Sequence, residues 1–416
     1  MKILLVYPAP DFQKNPRFGF SYEMLTVATI LSQNHHVSIH DYSCEEYDSD
    51  AFLKELQTEY YDLVLVDCDS FALKRAQNII HARIILRLSS LYSTTISYGN
   101  YCYIKKTDME EADFTLKENN VNVLIHQINQ LSVGSTIPSI ASYDDLPYLR
   151  RELLFHLAFY RRNSKNTLLQ TAKGCENSCI FCQRKGWQDR FVAHSDSYVL
   201  GEIKNLCCQG FQNVWVIDEN FTFNLPRAKR LLKKILNFEK SEKRQLNLFI
   251  SSWANIDFEF IDIAASANVR IISFGIESGD SDILKYYKKN INLDSIAQII
   301  PYANSKGIFT VGNFIIGAPS ETLDTIHKTF TLIRKCQFDQ VNIKTLDYMI
   351  GSELYQSLSP SLKTADHVFA CSENGLTSFS LDELIHLKSE FLKSYYMERK
   401  ETIKNKIMRY GFPYSV

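Results

Sequence analysis

The chain has 416 residues, 22% of them charged and 45% hydrophobic, with a formal net charge of −1. That length holds roughly two to three domains, and the near-neutral balance leaves no electrostatic footprint for nucleic acid or an anionic membrane surface. No apolar run reaches the roughly 18 residues of a spanning helix, and the apolar part of the opening MKILLVYPAPDF is too short for a signal peptide, so a cytoplasmic protein is expected.

In chain order, ILLVY (3–7), HVSIH (36–40), DLVLV (62–66) and STTIS (93–97) are strand candidates. Met24, Val27, Ala28 and Leu31 recur at i, i+3, i+4 and i+7, and Val121, Leu124, Ile125 and Ile128 mark a second helix. Strands alternating with helices predict a parallel sheet covered on both faces. Residues 1–135 therefore read as an α/β, Rossmann-like (flavodoxin-like) domain. The polar, turn-prone VGSTIPSIASYDDLP (133–147) opens a linker taken as 136–164.

From 165 to 350 the alternation is clearer. LLQTA (168–172), NVWVI (213–217), LNLFI (246–250), VRIISF (269–274), IFTVGNFII (308–316) and VNIKTL (341–346) are strands. Helices are expected near 197–209, 225–238, 257–266, 280–306 and 321–337, with Pro226 suited to a helix start and Gly307 to a helix end. Six strand–helix units are fewer than the eight of a closed barrel, which predicts a partial (β/α)6 TIM-type barrel with its chemistry at the C-terminal strand ends. Residues 351–416 read as a helical C-terminal extension, in which Ser380 and Glu383 form a capping box before a helix to about 405.

Seven of the ten cysteines, Cys44, Cys68, Cys102, Cys207, Cys208, Cys336 and Cys371, are scattered and read as small buried hydrophobes. The other three, Cys175, Cys179 and Cys182, stand as C-x3-C-x2-C in KGCENSCIFCQRKGW, the loop after the first barrel strand. The spacing admits three readings. The cysteines could be unrelated core residues. They could hold a structural zinc, with Cys207, Cys208 or His194 as the fourth ligand a closed tetrahedral site requires. Or they could hold three corners of an iron–sulfur cube, leaving one iron open to a substrate or cofactor.

The cysteine spacing, with the aromatic Phe181 before the last cysteine, resembles the signature of the radical S-adenosylmethionine (radical SAM) enzymes. The resemblance implies a 4Fe-4S cluster held by Cys175, Cys179 and Cys182. Its open iron would chelate S-adenosylmethionine, and electron transfer would release a 5′-deoxyadenosyl radical that abstracts a substrate hydrogen. VWVIDENF (214–221) places Asp218, Glu219 and Asn220 where the family meets the cofactor's amino group, an ammonium that needs a buried acceptor. SFGIESGD (273–280) is similar to the family's Gly-x-Glu-Ser turn. There Gly275 would allow close backbone approach, and Glu277 and Ser278 would bond the ribose or methionine part. GNFIIGAPSET (312–322) resembles the adenine-pairing strand, with Gly312 and Gly317 at points of close approach. SSWANID (251–257) departs from the pattern: where relatives often carry an arginine for the cofactor carboxylate, Ala254 or Asn255 stands. Lys344, Arg270 or water would then have to serve.

A parallel-sheet domain before this barrel resembles the cobalamin (B12)-binding-domain subclass, in degenerate form. The family's Asp-x-His-x-x-Gly motif is absent, and only Gly19, Gly99 and Gly134 occur in the first 150 residues. ISYGNY (96–101) reads as a remnant of the strand-four glycine turn, and His40 and His126 as surface or core histidines. Retained and lost cobalamin binding both stay open. The first implies methylation of an unactivated carbon; the second implies radical rearrangement, dehydration, epimerisation, oxidation or cyclisation. The expected partners are a small-molecule or peptide substrate and an electron donor such as flavodoxin or ferredoxin, with no nucleic acid and no membrane. A zinc-stabilised binding scaffold and a methylthio-transferring RNA modifier are the rival readings; the second lacks a basic RNA-binding tail.

Overall fold

A computed structural model of the chain describes residues 1–8, 20–42, 47–68, 76–132, 136–154, 166–186, 190–363 and 365–410. Part of the expected linker (155–164), Cys44, Gly19 and Gly134 lie outside the described residues. The chain divides into two compact units, one built mainly from Met1–Leu168 and the other mainly from Phe211 onward together with Leu169–Arg184.

The continuous apolar runs Ile3–Val6 and Leu63–Val66 are buried on both faces, as parallel strands between helices must be. They belong to β1 (Lys2–Tyr7) and β3 (Leu63–Asp67); β2 (His36–Asp41), β4 (Thr94–Tyr98) and β5 (Phe114–Thr115) complete the sheet. Between them run α1 (Tyr22–Leu31), α2 (Ser49–Glu59), α3 (Ala76–Ser89) and α4 (Asn100–Lys105), and α5 (Val121–Leu131) follows. The order β2-β1-β3-β4-β5 with parallel pairing is the flavodoxin-like arrangement. Ser21, Asp48 and Asn120 cap α1, α2 and α5 by accepting from their first-turn N–H groups. The blurred stretch 100–120 holds α4 and β5, both too short to show a period.

The segment after α5 is not free. Asn122 and Asn129, seven residues apart on α5, each pair with one backbone unit of the extended chain. Asn122 engages both backbone groups of Ile140 at 2.7 and 2.9 Å, and Asn129 both of Ile137 at 2.8 Å. Further on, fully buried Arg151 donates to Thr167 (3.0 Å), the Leu168 carbonyl (2.9 Å) and Glu202 (2.5 Å).

The six-stranded sheet has the order β13-β12-β11-β10-β9-β6. Its strands are β6 (Asn166–Leu169), β9 (Asn213–Val216), β10 (Asn247–Trp253), β11 (Val269–Glu277), β12 (Phe309–Ile316) and β13 (Gln340–Thr345). A two-stranded ribbon of β7 (Ala172–Lys173) and β8 (Val192–Ala193) follows β6, so the expected strand through Ala172 ends earlier, at Leu169. The helices are α6 (Asp196–Cys208), α7 (Leu225–Glu242), α8 (Phe258–Ser266), α9 (Ser281–Tyr286), α10 (Leu293–Ser305) and α11 (Leu323–Cys336). The single helix expected over 280–306 is thus broken between Tyr286 and Leu293, with Lys288 in the left-handed region at φ 55°. The extension expected to be helical from 351 instead contributes a strand, β15 (His367–Phe369), antiparallel to β14 (Asp347–Met349) just before it, and the two enclose the short α12 (Glu353–Ser357). The long α13 (Leu381–Tyr410) follows, started by the Ser380/Glu383 box.

An open barrel leaves an edge strand and an unfilled bottom, and α13 answers both. Phe391 stacks on Phe330 of α11 at 4.0 Å, and Tyr395 donates to the Phe338 carbonyl at 2.5 Å. Tyr396 satisfies both outward backbone groups of Val341 on β13: its hydroxyl accepts from the N–H (2.8 Å) and donates to the carbonyl (3.2 Å). Unpaired edge groups are the template for unwanted strand pairing, and a helix laid over them removes it. Ile407 packs with Trp215, Phe249, Ile271 and Phe309, the apolar floor at the N-terminal ends of the strands. Replacing Tyr396 by Phe should therefore lower stability by about 1–3 kcal/mol, and hydrogen exchange should show faster exchange of the Val341 amide.

Candidate active site

Strand register sorts the side chains that line the open face of the barrel. Phe249, Ile271 and Phe309 are level; one step of two residues onward come Ser251, Ser273 and Val311; then Trp253, Gly275 and Asn313, the last level with Asn342. Side chains two apart share a face, so the lining turns from apolar at the floor to polar at the C-terminal end. Asn313 donates to Ser273 (2.8 Å) and accepts from Asn342 (3.0 Å).

The cysteine loop leaves the first strand at that end. Asp218, 3% exposed, anchors its root: one carboxylate oxygen accepts from the N–H groups of Thr171 (2.6 Å) and Ala172 (3.0 Å), the other from the Thr171 hydroxyl (2.5 Å). Burial pushes the Asp218 carboxyl up to about 6, against these donors and the nearby Arg227 guanidinium. Arg227 itself donates to the carbonyls of Thr171 (2.8 Å) and His194 (3.2 Å). Asp218 is thus committed to the protein's own backbone. Half-buried Glu219 accepts from the Gly174 N–H at 2.8 Å, one residue before Cys175. Asn220 accepts from the Trp253 N–H (3.1 Å) and Thr222 (3.0 Å), tying the second strand's exit to the third's.

Within the loop, Cys179 is buried and Cys175 and Cys182 are half-buried. Asn177 donates to the Cys175 sulfur at 3.2 Å. The Ile180 N–H donates to the Tyr287 carbonyl (3.4 Å), its carbonyl accepts from Leu354, and Phe181 meets the Tyr287 ring edge-on at 5.3 Å. Burial pushes the Cys179 thiol up to about 12 and also raises Cys182; the charge of Lys289 opposes both shifts, and Arg184 opposes the second. Among the described residues, no three His, Cys, Asp or Glu groups close on one point as a single ion requires. The donor set, three thiols on one loop, suits three corners of a cube.

Facing the loop is a buried pair that sequence reasoning only half found. Glu277 accepts from the Lys289 Nζ at 2.7 Å, and the ammonium also lies 4.4 Å from the centroid of the Trp253 ring. Glu277 follows a register shift in β11 and sits at φ 74°; bulges of this kind re-aim side chains next to active sites. Gly275 makes the room, since a Cβ there would lie 2.9 Å from both Glu277 Oε1 and Lys289 Nζ. Lys289 was hidden because a continuous helix was expected across it. The break after α9 turns it inward, and Asn255 holds the break by donating to the Asn290 carbonyl at 2.8 Å.

The remaining expected residues are placed differently. Ser278 is fully buried and bonds Thr329 (3.3 Å) and the Asp280 N–H (3.1 Å). The space beside Gly312 is taken by Phe314 and Phe338. Gly317 donates to Glu321 and lies against Leu384. Arg270 sits at the opposite end of its strand, on Asn247 and Asn268, and Lys344 is exposed on β13. His40 pairs with Glu55 at 2.9 Å. Of the scattered cysteines, Cys68, Cys102, Cys207, Cys336 and Cys371 are buried, whereas Cys208 is exposed.

Residues 169–333 match the sequence profile of the Radical SAM superfamily. The chain is 23% identical to an uncharacterized methyltransferase of Pyrococcus horikoshii, over 99% of this chain and 96% of that protein. A cytidylyl-2-hydroxyethylphosphonate methyltransferase of Streptomyces wedmorensis is 26% identical over 47% of this chain, which spans only 38% of that relative. Among solved structures, the fold matches the radical S-adenosylmethionine methyltransferase TsrM from Kitasatospora setae, determined with cobalamin and a 4Fe-4S cluster bound. The TM-score is 0.71 at 17% identity, covering 85% of this chain and 73% of that one. Among the described residues, no helix is long and apolar enough to cross a membrane.

Glu321, 2% exposed, grips the Gly317 and Ala318 N–H groups, and burial pushes its carboxyl up to about 7. A folded-state pKa above the unfolded value means that the folded protein keeps a proton the unfolded chain has released. Stability should therefore fall as pH rises from about 4.5 to about 7. Denaturant titrations at pH 5 and pH 8 should show a smaller difference in Glu321→Gln than in the parent.

Proposed function

We propose that this radical SAM enzyme is a cobalamin-dependent methyltransferase acting on an unactivated carbon of a small-molecule or peptide substrate. One observation carries the reading: three thiols of a single loop, braced at the C-terminal strand ends, face a buried charged pair at the mouth of a polar-lined barrel.

Cys175, Cys179 and Cys182 are the ligands for the cluster, and the Asn177 side chain on the Cys175 sulfur is the kind of outer hydrogen bond that tunes such a site. Bound there, a 4Fe-4S cluster supplies the electron that splits the sulfonium of S-adenosylmethionine, and a bound cobalamin supplies a transferable methyl group. Asp218 and Arg227 hold the root of the loop, and Phe181 on Tyr287 holds its apolar side. Glu219, beside Gly174, offers a carboxylate near the loop for the ammonium of S-adenosylmethionine. Ser273, Asn313 and Asn342 present amide and hydroxyl groups that orient a polar substrate.

For cobalamin, the first unit brings the flavodoxin-like sheet, whose crevice lies beyond the strand ends where the order reverses between β1 and β3. At the neighbouring strand end the Tyr98 hydroxyl is buried without a hydrogen-bond partner among the described residues. Gly99, at φ 103°, packs its backbone on Asp67 and Cys68, where a Cβ would come within 2.7 and 2.8 Å. With His40 paired to Glu55, the reading takes cobalamin without a histidine ligand from β2. A protein that has lost cobalamin, running a radical rearrangement instead, is the alternative.

Anaerobic purification with hydroxocobalamin is the test. The expected protein carries four irons and one corrin, bleaches with dithionite, and releases 5′-deoxyadenosine or S-adenosylhomocysteine. Substituting any one of Cys175, Cys179 or Cys182 by Ala should abolish bound iron and product formation. A colourless protein with one zinc would sink the reading; a cluster without corrin would move it to the alternative.

A further inference from the structure

The polar wall of the barrel has a direction that its residue types alone do not show. Asn313 sets it, because its amide cannot be turned round: one N–H donates to the Phe274 carbonyl at 3.0 Å, and a backbone carbonyl can only accept. The amide nitrogen therefore faces β11, where it also donates to the Ser273 hydroxyl oxygen at 2.8 Å. The Asn313 oxygen is left facing β13, and Asn342 has to offer it an N–H, at 3.0 Å. The Asn342 oxygen in turn accepts from Gln340 at 3.2 Å. The hydrogen bonds thus run one way, from exposed Gln340 on the edge strand through half-buried Asn342 and Asn313 to Ser273. Ser273 ends the chain as an acceptor, so its own hydrogen has to point elsewhere, and among the described residues it has no acceptor. Donors in series polarise one another, which strengthens that last O–H as a donor.

We propose that the relay of Gln340, Asn342, Asn313 and Ser273 presents the Ser273 hydroxyl as a fixed donor to a carbonyl or carboxylate oxygen of the substrate, and that the substrate class is a molecule carrying such an oxygen beside an apolar group. This rests on the reading of the barrel as the substrate cavity of a radical enzyme and adds to it the polarity of the group recognised. The apolar part follows from height. Ser273 is half-buried on the lumen face, level with Ser251 and Val311. It stands one step above the floor of Phe249, Ile271 and Phe309, a separation of about 7 Å at the usual rise of a strand. It stands one step below Trp253 and Gly275, so it lies deeper than the strand ends that carry the cysteine loop. A molecule whose oxygen meets Ser273 therefore has an apolar floor beneath that oxygen, at the depth of a ring or a branched aliphatic group. An acceptor oxygen there takes up the one hydrogen that the chain leaves unused, and a buried donor is costly until it is so paired. Ser273 touches the substrate; Asn313 acts through it and is a positioning residue.

The test uses acetophenone, a ring bearing a single carbonyl, as the probe on the full-length, anaerobically reconstituted protein. Its carbonyl stretch is read by isotope-edited infrared difference spectroscopy, and its affinity by equilibrium dialysis. In the parent the band should lie at or below its position in water. Ser273→Ala should move the band up, toward its position in hexane, and weaken binding about two- to tenfold, the worth of one hydrogen bond. Asn313→Asp keeps the shape but removes both N–H groups, so the Ser273 hydrogen turns back onto that carboxylate and the band should rise as it does in Ser273→Ala. A change of packing alone would weaken binding without moving the band. Failure of acetophenone to bind the parent, or a band unmoved in either variant, would overturn the proposal. Loss of S-adenosylmethionine binding in Ser273→Ala would also overturn it, because the wall would then serve the cofactor. If Asn313→Asp does not fold, Ser273→Ala decides. Iron and sulfide content of the parent separates the two levels: a parent without a cluster fails the reading of the whole site, whereas a parent with a cluster and an unmoved band fails the donor wall alone.

Discussion

A loop whose three cysteines lie outside any helix or strand can hold three ligands in place only if its root is fixed, and that root is Thr171 and Ala172. Asp218 grips it through both backbone N–H groups and the Thr171 hydroxyl, and Arg227 takes the Thr171 carbonyl. The carboxylate reaches across from the exit of the neighbouring strand, so the first strand ends early and the chain turns out of the sheet. Everything proposed for the site depends on this clamp. Without it only the two-residue ribbon of β7 on β8 would tie the root of the cysteine loop.

The second constraint is the open barrel. The six strands do not close on themselves, so the edge strand keeps unpaired backbone groups. The chain uses one long helix for edge and floor alike: Tyr396 occupies the edge at Val341, and Ile407 joins the apolar floor below. The C-terminal end is left for chemistry. There the lining becomes polar, through Ser273, Asn313 and Asn342, and then charged, through Glu277 and Lys289. The gradient follows from where water and ligands can enter, since a polar group at the floor would have no partner.

The first unit is more conventional in its physics. Two central strands of unbroken apolar sequence carry the core, and helices capped by Ser21, Asp48 and Asn120 cover them. Its less expected feature is the use of Asn122 and Asn129 as a two-rung ladder for the extended chain at Ile137 and Ile140. Side-chain amides carry a donor and an acceptor in one plane, so they can stand in for a neighbouring strand.

The sequence by itself determined the α/β class, the flavodoxin-like and partial-barrel halves, most strand positions and the cysteine loop. Each of these rests on a local pattern: unbroken apolar runs, helical periodicity, or thiols within eight residues of one another. Short-range signals failed where an element was too brief to show a period, as at Asn100–Lys105 and Phe114–Thr115, or where tertiary contacts overrode one. The helix break at Lys288 is such an override: nothing between Asp280 and Lys306 marks it with glycine, and it is held by Asn255 from the loop after β10. Only the tertiary structure decided which acidic residues are committed to backbone and which face the loop, because that depends on contacts between strand ends distant in sequence. Asp218 and Ser278 turned inward to the protein, and Lys289, inside the stretch expected as one helix, became the buried partner of Glu277. Periodicity reports which side of an element is apolar; it carries no information about which distant charge will be there to meet it.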